Sequence, residues 1–98
     1  MPAVKQIKIK LKKKSIYQEP WYLYILLCNN GNFYTGIAKD LEHRFAQHAQ
    51  GKGARYTKIY GAKKIIYSEI YDNHFQAAAR EIAVKKFSRI EKEKLIKK

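Results

Sequence analysis

A chain of 98 residues makes one domain with one modest core, and the single cysteine, Cys28, excludes both an internal disulfide and a zinc cluster built on thiolates. Lys and Arg total 21 against 8 acidic residues, a net charge of +13, so the partner to expect is a polyanion, and nucleic acid is the commonest. No apolar run is long enough to span a bilayer, and the basic start lacks the apolar stretch of a signal peptide, which points to a cytoplasmic protein.

Residues 1–19 read as a separate basic arm. Lys5, Lys8, Lys10, Lys12, Lys13 and Lys14 are interspersed with Ile7, Ile9 and Leu11, and the expectation is a mobile terminal segment closed by Pro20. Residues 20–98 form the domain. Trp21 to Cys28 is apolar, aromatic and branched, as in a buried strand. Asn29-Asn30-Gly31 is a turn, and Phe33 to Ile37 returns as a second strand. Two registers are open. A two-residue loop would put Tyr24 and Tyr34 on opposite sheet faces. A three-residue loop, with Gly31 in the left-handed region, puts Tyr22, Tyr24 and Tyr34 on one face and Trp21, Leu23, Ile25 and Leu27 on the other. The second is preferred because it separates a tyrosine row from an apolar row.

Asp40 caps a helix whose Leu41, Phe45 and Ala49 fall on one side and which Gly51 ends. Residues 52–61 are polar and basic and predict an ordered loop or a short helical turn. Ile65 to Tyr71 reads as a third strand. Asp72 or Asn73 caps a second long helix, with Phe75, Ala79, Ile82 and Lys86 along one side. Ser88, with Glu91 three residues on, opens a last helix. The sum is an α+β domain: a small three-stranded, mainly antiparallel sheet flanked by helices. Its predicted core is Trp21, Leu23, Ile25, Leu27, Leu41, Phe45, Ile66, Ile70, Phe75 and Ile82.

Most tyrosines on a strand only pack. The residues around this row give it more weight. Arg44 and His48 are four apart on the first helix and project from one flank. Glu81 sits off the apolar side of the second long helix, where by itself it would be an exposed ion pair with Lys85. Tyrosine, arginine, histidine and one carboxylate brought together suit phosphoryl transfer, which needs a base, a cation for developing charge and a hard metal held by oxygen.

Tyr22-Leu23-Tyr24, Tyr34-Thr35-Gly36, and Asp40-Leu41-Glu42-His43-Arg44 with His48 together resemble the signature of the GIY-YIG nuclease superfamily. The tract from Ala77 to Lys86 resembles its metal-binding helix, and the similarity is to small stand-alone bacterial members. The resemblance implies a metal-dependent endonuclease acting on nucleic acid, DNA rather than RNA, structured or single-stranded, in repair or recombination. It implies catalytic roles for Tyr34 (activating water), Tyr24 (positioning it), Arg44 (facing the pentavalent phosphate) and His48 (orienting the site). Glu81 would hold Mg²⁺ or Mn²⁺. The chain departs from the pattern at Tyr22, Leu23 and Thr35, and Ile37 stands where repair-type members often carry a lysine. The residues themselves leave DNA and RNA both open. Lys52, Arg55, Lys58, Lys63 and Lys64 are the expected phosphate-tracking residues, so binding should weaken steeply with salt. No obligate protein partner is evident. The competing reading is a non-catalytic nucleic-acid-binding or ribosome-associated module on the same fold.

Overall fold

In the computed structural model, which describes residues 19–98, the chain runs as two strands, two helices, one strand and two helices. These are β1 (Trp21–Leu27), β2 (Phe33–Ala38), α1 (Leu41–Ala49), α2 (Arg55–Tyr60), β3 (Lys64–Tyr71), α3 (His74–Lys85) and α4 (Arg89–Ile96). The sheet is antiparallel throughout, in the order β2-β1-β3. The expectations for the basic arm, residues 1–19, fall almost wholly outside the described residues. Among the described residues no helix is long and apolar enough to cross a membrane.

The hairpin closes through the three-residue loop. The Cys28 amide donates to the Asn32 carbonyl at 2.8 Å, and the Gly31 amide donates back to Cys28 at 2.9 Å. Gly31 has a φ of +87°, a region open to glycine at little steric cost. Leu26 therefore faces Tyr34, and Tyr24 faces Gly36, so both tyrosines lie on one side.

That side is not an open tyrosine row. β1 is the central strand, and both sheet faces are covered. Leu23 and Ile25 pack with Val84 and Leu95 beneath α3 and α4. Tyr24, Leu26, Cys28 and Ala38 pack with Leu41, Phe45 and Tyr56 from α1 and α2. Burial on both faces explains why β1 reads as an almost unbroken apolar run. A bulge in β3 serves both cores. The pairing jumps between Ile25 and Leu26, so Ile65 packs on the tyrosine side while Ile66 and Tyr67 both pack on the other.

The helix starts follow local chemistry. The side chains of Asp40, Asn73 and Ser88 accept from the amides of His43, Gln76 and Glu91, and Glu91 closes the capping box on Ser88. The 52–61 stretch holds a full short helix, α2.

The rotation of α3 differs from the expected one. Phe75 is 80% exposed and Ile82 59%, so neither belongs to the core. Ala79 and Lys86 are exposed as well. The inward side is Ala77, Arg80, Glu81 and Val84, spaced as one helical face. The cause is Glu69 on β3, which is 4% exposed. Its carboxylate accepts from Arg80 Nε at 2.9 Å and from a second guanidinium nitrogen at 3.0 Å. It also accepts from the phenols of Tyr67 (2.6 Å) and Tyr71 (2.5 Å). A buried carboxylate needs such partners, and only one rotation of α3 supplies the guanidinium. The same rotation brings Glu81 to the partly covered side, where it still forms the ion pair with Lys85 that the sequence allowed. On α1 the covered side is Leu41, Arg44, Phe45 and His48, while Ala49 is exposed.

Candidate active site

Tyr24 and His48 are the centre of the tyrosine side, each almost fully buried. Gly36 lets the Tyr24 ring lie flat across β2, since a Cβ there would stand 2.6 Å from the phenol oxygen. The Tyr24 hydroxyl meets His48 Nε2 at 2.8 Å, and His48 Nδ1 meets Thr57 Oγ1 at 2.6 Å. The Thr57 hydroxyl itself donates to the Ala54 carbonyl at 2.9 Å. These bonds set the protons. Thr57 has spent its hydrogen, so it accepts from Nδ1–H. His48 is then neutral with a bare Nε2, and the Tyr24 hydroxyl donates to it. Gly53 leaves room for the imidazole, where any Cβ would collide with it.

Burial, helped by the charge of Arg44, lowers the His48 pKa to about 4. Burial pushes Tyr24 up to about 12; a hydrogen bond from Arg44 opposes the rise, and Tyr34 and Glu81 add to it. Both groups stay uncharged at neutral pH. An unfolded histidine titrates near ~6.5, so between that pH and about 4 the unfolded chain binds the extra proton. Stability from this group is therefore full above ~6.5 and falls as the medium acidifies, by roughly 3 kcal/mol in all. Thermal unfolding of wild type and His48→Gln across that window should show the slope flattened in the variant. Equal slopes would mean that His48 carries no such linkage.

The other expected residues gather around this pair. The Tyr34 ring stands 6.4 Å from that of Tyr24 and 5.4 Å from that of His48. Its outer face stacks on Tyr56 at 6.4 Å with only 16° between the planes. Asn32 donates to the Tyr56 hydroxyl at 2.8 Å, which steadies that ring. Tyr34 is half-buried, so its hydroxyl is the more accessible of the two. Arg44 donates to Gln47 Oε1 at 3.0 Å, a bond that directs the guanidinium along α1. Glu81 pairs with Lys85 at 3.1 Å and keeps 21% of its side chain exposed.

Among the described residues no three His, Cys, Asp or Glu side chains group as a metal cage. A lone, partly open carboxylate fits Mg²⁺ or Mn²⁺, hard cations that take their remaining oxygens from water and a substrate phosphate. It does not fit a tightly held structural ion.

The five expected phosphate-tracking residues are all exposed. Arg55 and Lys58 ride on α2, the helix that also brings Thr57 to His48. Lys52 follows α1, its amide donating to the Gln47 carbonyl. Lys63 and Lys64 border another cavity, of about 430 Å³, with Leu41, Glu42 and Phe45, and Leu41 and Phe45 also pack against the Tyr24 cluster. Reading the sequence alone missed Thr57, Gln47 and Glu69. Only Glu69 carried a usable signal, a carboxylate flanked by tyrosines at alternate positions of a strand.

The family model described as the GIY-YIG catalytic domain matches residues 20–95. A UPF0213 protein of Staphylococcus saprophyticus is 47% identical over 75 residues, covering 76% of this chain and 92% of its own. A UPF0213 protein of Xanthomonas axonopodis pv. citri is 43% identical over 74 residues, with 76% and 72% covered. The solution NMR structure of a UPF0213 protein from Bacillus halodurans superposes with a TM-score of 0.52 at 37% identity, over 80% of this chain and 83% of that one.

Proposed function

Since the chain belongs to the GIY-YIG family, we propose that it is a divalent-metal-dependent endonuclease of the cytoplasm that hydrolyses phosphodiester bonds, in DNA rather than RNA. The observation that carries this reading is convergence on one phenol. Tyr24 is hydrogen-bonded to His48 and its ring stands 6.4 Å from that of Tyr34, with Arg44 and Glu81 close enough to act on its hydroxyl.

In this reading the roles divide by accessibility. Tyr24 is buried, protonated and committed to His48, so it holds geometry and does not take protons. Tyr34 is half-buried, and as the phenolate it takes the proton of the attacking water as the water oxygen bonds to phosphorus and the bond to the leaving oxygen breaks. Tyrosine, with an ordinary pKa of ~10, is almost wholly protonated at neutral pH, so positive charge must stand nearby to favour the phenolate. Arg44 supplies it and faces the charge that builds on the phosphate oxygens. His48, neutral and anchored by Thr57, keeps the Tyr24 hydroxyl aimed. Glu81 would hold the metal, which neutralises phosphate charge and assists the leaving oxygen. Lys52, Arg55, Lys58, Lys63 and Lys64 track the backbone, and repair or recombination intermediates are the substrates to try first.

The test is a cleavage screen over labelled DNA and RNA structures with Mg²⁺, Mn²⁺ or EDTA. Cutting of at least one structure, lost in EDTA, is the expected result. Cutting that persists in EDTA would sink the metal-dependent mechanism. Binding without any cutting would leave a nucleic-acid-binding module.

A further inference from the structure

A cleft of about 360 Å³ opens beside Arg44, lined by Trp21, Ile37, Ala38, His43 and Gln47 with Lys39 and Asp40 at its edge. Its size is at the lower end of the ~300–1,000 Å³ typical of small-ligand sites. Of its lining residues only Arg44 has a part in the proposed hydrolysis. Its apolar wall is an indole, a branched side chain and a methyl group. Of its polar groups, His43, Arg44 and Gln47 lie on α1 and Lys39 and Asp40 just before it, and its cations are Arg44 and Lys39.

The Trp21 ring is held from one side by the edge of His74, with centroids 4.5 Å apart and planes at 88°. The Lys39 ammonium lies 5.9 Å from the ring centre. Among the described residues Lys39 pairs with Glu19 at 3.2 Å, and both side chains are more than half exposed. An exposed pair of this kind is weak, so the ammonium can leave the ring for a phosphate. Arg44 borders the cleft and also reaches Tyr24. One guanidinium thus joins an aromatic slot to the tyrosine pair.

From this geometry we propose that the Trp21 cleft is a subsite for one unstacked nucleobase, next to the phosphate that Arg44 faces. A base stacks on the indole, Lys39 moves to an adjoining phosphate, and Gln47 and His43 meet the base edge. A base inside a duplex is stacked on both faces and cannot enter, so the site takes unpaired nucleotides. The proposal rests on the nuclease reading for its choice of polymer, but binding tests it without cleavage.

Trp21 is the only tryptophan, so its emission reports the cleft directly. Glu81→Ala protein in EDTA is titrated with a short labelled single-stranded DNA, the RNA of the same sequence, and the blunt DNA duplex. Anisotropy reads binding and tryptophan emission reads the cleft. At least one single strand should quench Trp21 in step with binding, while the duplex should bind with emission unchanged. Trp21→Leu should weaken the single strand about tenfold and the duplex hardly at all, and Trp21→Phe should recover most of the loss. Saturated binding of single strands with Trp21 emission unchanged, or equal weakening of single strand and duplex in Trp21→Leu, overturns the subsite alone. No binding to any of the three overturns the nucleic-acid reading and the subsite with it.

Discussion

Glu81→Ala should abolish metal-dependent cleavage while leaving nucleic-acid binding within about twofold of wild type. Among the described residues Glu81 is the one carboxylate whose charge acts on Tyr24, so no other described carboxylate of the cluster replaces its oxygens. The fold should survive the change. The Glu81–Lys85 pair is spaced i, i+4 with Lys85 half exposed, and such pairs contribute only ~0.3–0.5 kcal/mol. Loss of cutting could then not be blamed on unfolding. Arg44→Ala should lower the cleavage rate ~100–1,000-fold, the usual cost of a donor facing transition-state charge, and should also weaken binding slightly. Rates with Mg²⁺, and anisotropy in EDTA, on the same preparations separate the two effects. Undiminished cutting by Glu81→Ala would remove Glu81 from the mechanism.

Glu69→Gln should be the most damaging conservative change in the fold. The amide keeps the volume but not the charge, and its NH2 replaces one of the two oxygens that accept from Arg80, Tyr67 and Tyr71, setting a donor against donors. Breaking a buried pair from one side costs ~3–5 kcal/mol. The lower end applies here, because Arg80 keeps 30% of its side chain exposed. In a domain of this size a loss of about 3 kcal/mol lowers the melting temperature by more than ~10 °C. Burial by itself would raise the Glu69 pKa, but the bonds from Arg80, Tyr67 and Tyr71 outweigh it and hold the carboxyl below its ordinary range. The carboxylate's contribution is therefore present above its unfolded pKa of about 4.5 and is lost as pH falls through the lower folded value. Denaturant unfolding of wild type and Glu69→Gln at neutral pH checks the difference. A gap under about 1 kcal/mol would mean that the clamp does not hold α3.

The two substitutions probe different layers of one helix. Arg80 and Glu81 are adjacent, and the clamp that turns Arg80 toward Glu69 also turns Glu81 inward. Glu69→Gln should thus slow cleavage as well, in proportion to how far α3 loosens.

What the sequence determined by itself is what local chemistry decides. The Asn29-Asn30-Gly31 loop and the positive φ of Gly31 dictate the hairpin register, and that register puts Tyr24 and Tyr34 on one face. Asp40, Asn73 and Ser88 each cap a helix through amides three residues away. The family motifs were legible because their spacings reflect this local geometry. The rotation of α3 was not, because Phe75, Ala79 and Ile82 offer a plausible apolar side and hydrophobic pattern is the only local guide. Tertiary structure chose the side with Ala77, Arg80, Glu81 and Val84, since a buried carboxylate on another element outweighs two exposed apolar side chains. The bond from His48 to Thr57 belongs to the same class. It joins α1 to α2 across an intervening turn, and its value comes from excluding water, which no stretch of sequence does alone.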